Sequence, residues 1–184
     1  NGNADDFSGF NNHADISNGM SISADRYGNA NASASLDGIN DFCLVPDGAD
    51  TLDFGTNTDF TIAAWIYIEQ PDRMNTLLDK RNFGPAGYLA GVRDNNKVVM
   101  FICDSTPTGV EIHSSNAITA SNWYHVALVY ERGNTGRIYI DGSFDNSSNI
   151  AAVTGSINSS NDSSIGFHAM GVGSSWTNFG GNID

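Results

Sequence analysis

The stretch from Asn122 to Gly142, NWYHVALVYERGNTGRIYIDG, leaves few folds open to this chain. His125 to Tyr130 alternates, with Val126, Leu128 and Tyr130 on one side and His125, Ala127 and Val129 on the other. Apolar residues on both sides predict a strand buried inside a sandwich rather than one on a wet edge. Glu131 to Gly136 is a turn rich in Gly and Asn, and Arg137 to Ile140 alternates again. Asp141-Gly142 suits the positive φ angles of a tight hairpin turn. A third strand begins near Ser143 and Phe144. The product is an antiparallel meander with no helix in its connections.

The same bias runs along all 184 residues, which fit one domain large enough to bury a core without staples. Twenty Gly and many Asn, Ser, Asp and Thr stand against 2 Lys and 3 Glu, so helix formers are scarce. Asp59 to Glu69, DFTIAAWIYIE, is the second strong strand, with Phe60, Ile62, Ala64, Ile66 and Ile68 opposite Thr61, Trp65 and Tyr67. Shorter strands are predicted at 14–22, 33–36, 41–45, 77–79, 88–93, 97–104, 109–114 and 164–168, and another starts at Phe179. The segments 46–57 and 153–163 read as polar connections. About a dozen short strands without helices imply an all-β, two-sheet antiparallel sandwich of jelly-roll type.

A formal net charge of −13 makes nucleic acid and anionic membranes poor partners. No apolar run approaches the ~20 residues of a membrane span, so membrane insertion is not expected. Polar first residues carry no signal peptide, as in a mature secreted chain or an excised domain. Cys43 and Cys103 lie in strand-like runs without metal-ligand spacing, and read equally well as free thiols or as one disulfide. Of the 21 acidic residues 18 are Asp, many in Gly/Asn-rich loops. Most such carboxylates serve solubility. The opening loop NGNADDFSGFNN is denser in oxygen ligands, which suits Ca²⁺. It lacks the spacing of an EF-hand, and reads either as a calcium-organised loop or as a free terminus.

The series NGNADDFSG, DRYGNANASASLDGINDF, FTIAAWIYIE, NWYHVALVYERG, RIYIDGS, SIGFHA and FGGNID resembles, in order, the bacterial laminin G-like family. That resemblance implies the concanavalin A-like lectin/glucanase sandwich. It also implies that terminal strands are cut, so that residues 1–184 form one domain of a larger multidomain protein. Family members often hold a structural Ca²⁺ between the opening loop and the Asp of the final strand. Carried over, these ligands are Asp6 and Asp184, with Gly9 (carbonyl), Ser8 and Asn11 as weaker candidates.

Catalysis finds no support in the residues. Sandwich hydrolases need two carboxylates flanking the bond, yet Glu69, Glu111 and Glu131 lie in three different segments. There is no G-x-S-x-G element and no phosphate loop. Tyr88, Arg93 and the histidines supply lyase residue types without a pattern. Binding remains, because sugar sites pair aromatic platforms with polar loop residues on a rigid sheet. Trp176, with Asn178 beside it in GVGSSWTNF, is the most site-like aromatic, read equally well as a lid on the core edge. Tyr88, Arg93 and Asp94 form a second cluster, and Trp65 and Trp123 read as core. The expectation is a secreted or cell-surface binding module, not an enzyme, that recognises carbohydrate or a surface protein. A spacer without a ligand is the main alternative, and a polysaccharide lyase or hydrolase the third.

Overall fold

The computed structural model describes residues 4–48, 50–81, 86–106, 108–168 and 178–184. Its strands, in chain order, begin with β1 (Asp15–Ser17), β2 (Ser21–Ser23), β3 (Ser33–Asp37), β4 (Phe42–Val45) and β5 (Phe60–Ile68). Next come β6 (Asn75–Arg81), β7 (Gly87–Val92), β8 (Lys97–Cys103), β9 (Gly109–Ala117) and β10 (Trp123–Tyr130). The chain closes with β11 (Thr135–Ile140), β12 (Ser143–Asn149), β13 (Ser163–Ile165) and β14 (Gly180–Ile183). No helix occurs among the described residues.

Two seven-stranded antiparallel sheets result. Sheet one runs β1-β4-β13-β6-β7-β8-β9, and sheet two runs β12-β11-β10-β5-β14-β3-β2. The predicted meander is β10-β11-β12, closed by Asp141 (φ 51) and Gly142 (φ 76) in left-handed geometry. One expected strand is two. Residues 14–22 split into β1 in sheet one and β2 in sheet two, because Asn18 (φ 58) and Gly19 (φ 103) turn the chain between layers.

Between the sheets, alternation puts Ile66 and Ile68 of β5, Leu128 and Tyr130 of β10 and Ile138 of β11 against Ala90, Met100, Ile102 and Ile112 of sheet one. Each fully buried aliphatic side chain contributes roughly 1.5–3 kcal/mol. Aromatic rings fill one end, where Phe60 stacks on Tyr130 at 4.3 Å and meets Tyr88 at 4.8 Å. The two buried phenols are satisfied: Tyr130 donates to the Leu89 carbonyl at 3.0 Å, and Tyr88 to that of Leu52 at 2.8 Å. Buried Asn75 ties the layers, accepting from the Gly180 amide at 2.9 Å and donating to the Gln70 carbonyl at 2.9 Å. Gly181 (φ 142) is required beside it, since a Cβ there would lie 1.9 Å from the Tyr67 carbonyl oxygen. Cys43 and Cys103 are buried free thiols, not a disulfide.

Candidate functional site

The outer face of sheet two is built by the same alternation that fills the core. With Ile66 and Ile68 inward, β5 turns Trp65 and Tyr67 outward, and β10 turns out Trp123 and His125. Register then sets His125 opposite Trp65 and Trp123 opposite Tyr67. Their rings lie 5.3 Å and 5.5 Å apart. Trp65 and Trp123 are therefore not core residues, and β10 is not buried on both faces. Ala127 and Val129 share the outer side with the aromatics and are also only partly buried.

The β11-β12 turn borders this surface. Asp141 accepts the His125 amide on its carboxylate at 2.8 Å and returns its own amide to the His125 carbonyl at 2.8 Å. Trp65, Trp123, His125, Asp141 and Gly142 line one shallow groove. Tyr139 and Phe144 extend the aromatic band across β11 and β12, with ring centroids 5.8 Å apart.

On the opposite flank the Arg26 guanidinium lies 4.6 Å from the Trp65 ring and 4.4 Å from the Tyr27 ring, and pairs with Asp184. Arg26 is delivered by a tight turn. Asp25 caps the Tyr27 and Asn29 amides at 2.8 Å and 2.9 Å and binds the Asn29 side chain at 2.9 Å. The Asn29 side chain and these amides, against a smaller cost of burial, hold the Asp25 carboxyl below its usual range.

The expected calcium ligands divide. Asp6 and Asp184, from the two ends of the chain, line one cleft with Asp5, Asn12 and Asn31. Ser8, Gly9 and Asn11 sit on the exposed loop and do not line it. Asp6 organises that loop by accepting the Ser8 amide at 2.7 Å and the Ser8 hydroxyl and Asn12 amide at 2.8 Å. The Ser8 hydroxyl, followed by the two amides, keeps the Asp6 carboxyl below its usual range. Oxygen donors of this kind suit a hard cation.

The expected sugar ligands are dispersed. Trp176 lies outside the described residues. Asn178 is buried and clasps loops, donating to the Ile39 carbonyl while its own carbonyl takes Arg73 at 3.2 Å. Tyr88 points into the core, where burial pushes its phenol pKa upward. Asp94 is exposed in the turn after β7. Arg93 lines a cleft on the outer face of sheet one, with Arg81, Leu89, Phe101, Glu111 and His168.

A further acidic group was not expected. Asp47, Asp50 and Asp53 bring carboxylate oxygens within 4.8 Å of one another in the connection between β4 and β5. The fully buried Lys80 ammonium pairs with Asp47, lies 3.4 Å from Asp53, and donates to the carbonyls of Ser159 at 3.0 Å and Asn161 at 2.9 Å. This cage already contains its cation.

Two packed seven-stranded antiparallel layers have the architecture of a concanavalin A-like sandwich. A family model described as concanavalin A-like lectin/glucanases superfamily, Laminin_G_3, matches residues 37–184, and the chain belongs to that family. Among solved structures, it superposes on the binding domain of Paraclostridial Mosquitocidal Protein 1 with a TM-score of 0.76 and 18% identity, covering 98% of this chain and 44% of that one. The receptor-binding domain of botulinum neurotoxin C/D mosaic serotype gives 0.69 and 12%, covering 87% of this chain and 39% of the other. The botulinum neurotoxin serotype G binding domain gives 0.66 and 16%, with 87% and 40% covered. At these identities the likeness is one of fold, and the chain spans less than half of each solved domain. No curated protein sequence matches.

Proposed function

We propose that this chain is a non-catalytic binding module, secreted or displayed at a cell surface, that recognises carbohydrate on the outer face of sheet two. The observation that carries the reading is the open groove of Trp65, Trp123 and His125 beside the Asp141 carboxylate. Sugar rings present C–H faces that stack on indoles, while their hydroxyls need polar partners at the rim. A row of aromatics on a rigid sheet supplies the first, and Asp141 and His125 supply the second. A contiguous aromatic surface of this kind marks an interaction site more often than idle surface. The structural neighbours, named as binding and receptor-binding domains, support a binding role in general terms.

The test is affinity electrophoresis against neutral polysaccharides. Retardation by at least one, lost in Trp123→Ala and kept in Trp123→Phe, is the expected result. Equal migration of all forms in every gel would leave a spacer as the better description. Release of reducing ends or unsaturated sugars from the polysaccharide would instead make the protein an enzyme.

We further infer a structural calcium ion in the cleft shared by Asp6 and Asp184. A dication joining distant parts of the chain offsets loop-closure entropy. Asp5, Asp6, Asn12, Asn31 and Asp184 are the residues that would hold it, and Arg26, already paired with Asp184, is a built-in competitor.

A further inference from the structure

The outer face of sheet one, on the far side of the sandwich, carries a cleft of about 270 Å³. Behind it lies Asp79, which is fully buried although β6 turns it away from the core. Both its oxygens are committed, one to Arg81 Nε at 2.9 Å and the other to His168 Nδ1. A buried carboxylate is costly unless cations and donors answer it. Here it fixes the Arg81 guanidinium, which rests 5.0 Å from the Phe101 ring.

Arg93 has a matching arrangement. Glu111 takes one of its guanidinium nitrogens on one oxygen and His113 Nε2 on the other at 2.7 Å. Both carboxylates are thus spent on holding cations. Arg81 also directs one terminal nitrogen at the His168 ring at 3.0 Å, but a guanidinium has five N–H donors in a flat fork, so Arg81 and Arg93 each keep N–H groups on the remaining terminal nitrogen. Two of the six arginines in a chain of net charge −13 meet in this one cleft.

We propose that the cleft is a second binding site, taking the acidic group of a uronic-acid or sulfated sugar between Arg81 and Arg93. The guanidinium fork matches carboxylate and sulfate oxygens better than an ammonium does. Leu89 and Phe101 give the sugar ring an apolar floor, and the volume admits about one ring, at the small end of ligand pockets. The site lies on the other sheet from the aromatic groove, so the two readings stand or fall separately.

The experiment is affinity electrophoresis in gels containing polygalacturonate, dextran sulfate or neutral dextran. With the aromatic groove disabled by Trp123→Ala, retardation in an acidic gel but not in dextran is expected. Retardation by polygalacturonate alone assigns a carboxylate, by dextran sulfate alone a sulfate, and by both a general acidic-sugar site. Arg93→Gln should weaken binding at least tenfold, Arg93→Lys less, and Trp123→Ala not at all. Arg93 is more than a third exposed, so its variants should keep the wild-type melting temperature. No retardation in either acidic gel, equal retardation of the Trp123→Ala protein in dextran, an unaffected Arg93→Gln, or loss of acidic-gel binding in Trp123→Ala would each overturn the proposal.

Discussion

Asp184 and Trp65 sit opposite each other and exchange both backbone hydrogen bonds, at 2.8 Å and 2.9 Å, and Arg26 engages both side chains. One guanidinium thus couples the last strand to the aromatic face. Burial, the largest single influence, works to lower the Arg26 pKa, but the hydrogen bonds Arg26 donates to Tyr27 and Asp184 outweigh it and raise it.

Removing Arg26 should uncover the indole without unfolding the sheet. A solvent-screened ion pair and a cation–π contact near the surface each contribute little. Arg26→Ala should therefore lower Tm by only a few degrees. Its tryptophan emission should shift to longer wavelength. An unchanged spectrum would argue against the stacking.

Calcium removal is the second test. If the ion is bound only by the folded state, saturation at about a hundred times Kd adds about 2.7 kcal/mol, or roughly 5–10 °C in Tm. EGTA should reverse that gain, and Asp6→Ala should abolish the response. A melt indifferent to EGTA would remove calcium from the account.

Acid stability should report on Asp104. Its oxygens accept the Thr106 hydroxyl and the amides of Gly155, Thr106 and Thr108, and these overcome burial to bring its pKa from 3.8 to about 2. A lowered folded-state pKa means that the stabilisation is present above pH 3.8 and drains away as pH falls towards about 2. Urea melts across that window should show the decline, with a shallower slope in Asp104→Asn.

Lys80 offers the largest single effect. Lys80→Met keeps the stem and deletes the ammonium, leaving Asp47 and Asp53 close together without their cation. Stripping one partner from a buried ion pair costs roughly 3–5 kcal/mol. Denaturant midpoints would measure it, and a change near zero would mean that the cage is not dry.

Much of the layering could be read from residue parity alone. Trp65 and Tyr67 were assigned opposite Ile66 and Ile68, as found, but a strand pattern names two faces without saying which is covered. Aromatic rather than aliphatic residues on the second face were the missed signal. Parity also separates Tyr88 of β7 from Arg93 just beyond its end, since five positions along an extended chain point to opposite sides. Other pairings had no local trace. Arg26 and Asp184 are 158 positions apart, and His168 and Asp79 are 89 apart, so only the folded topology joins them. Asn18-Gly19 is turn chemistry, and it divides the one expected strand between the two layers.

Because an ammonium from β6 occupies the cage around Asp47 and Asp53, the long crossing from β4 to β5 is anchored by a charge that no chelator can extract. That end of the sandwich carries its own counter-charge for Asp47 and Asp53. Titration with EGTA is then directed at the cleft of Asp6 and Asp184, a local probe rather than a global one.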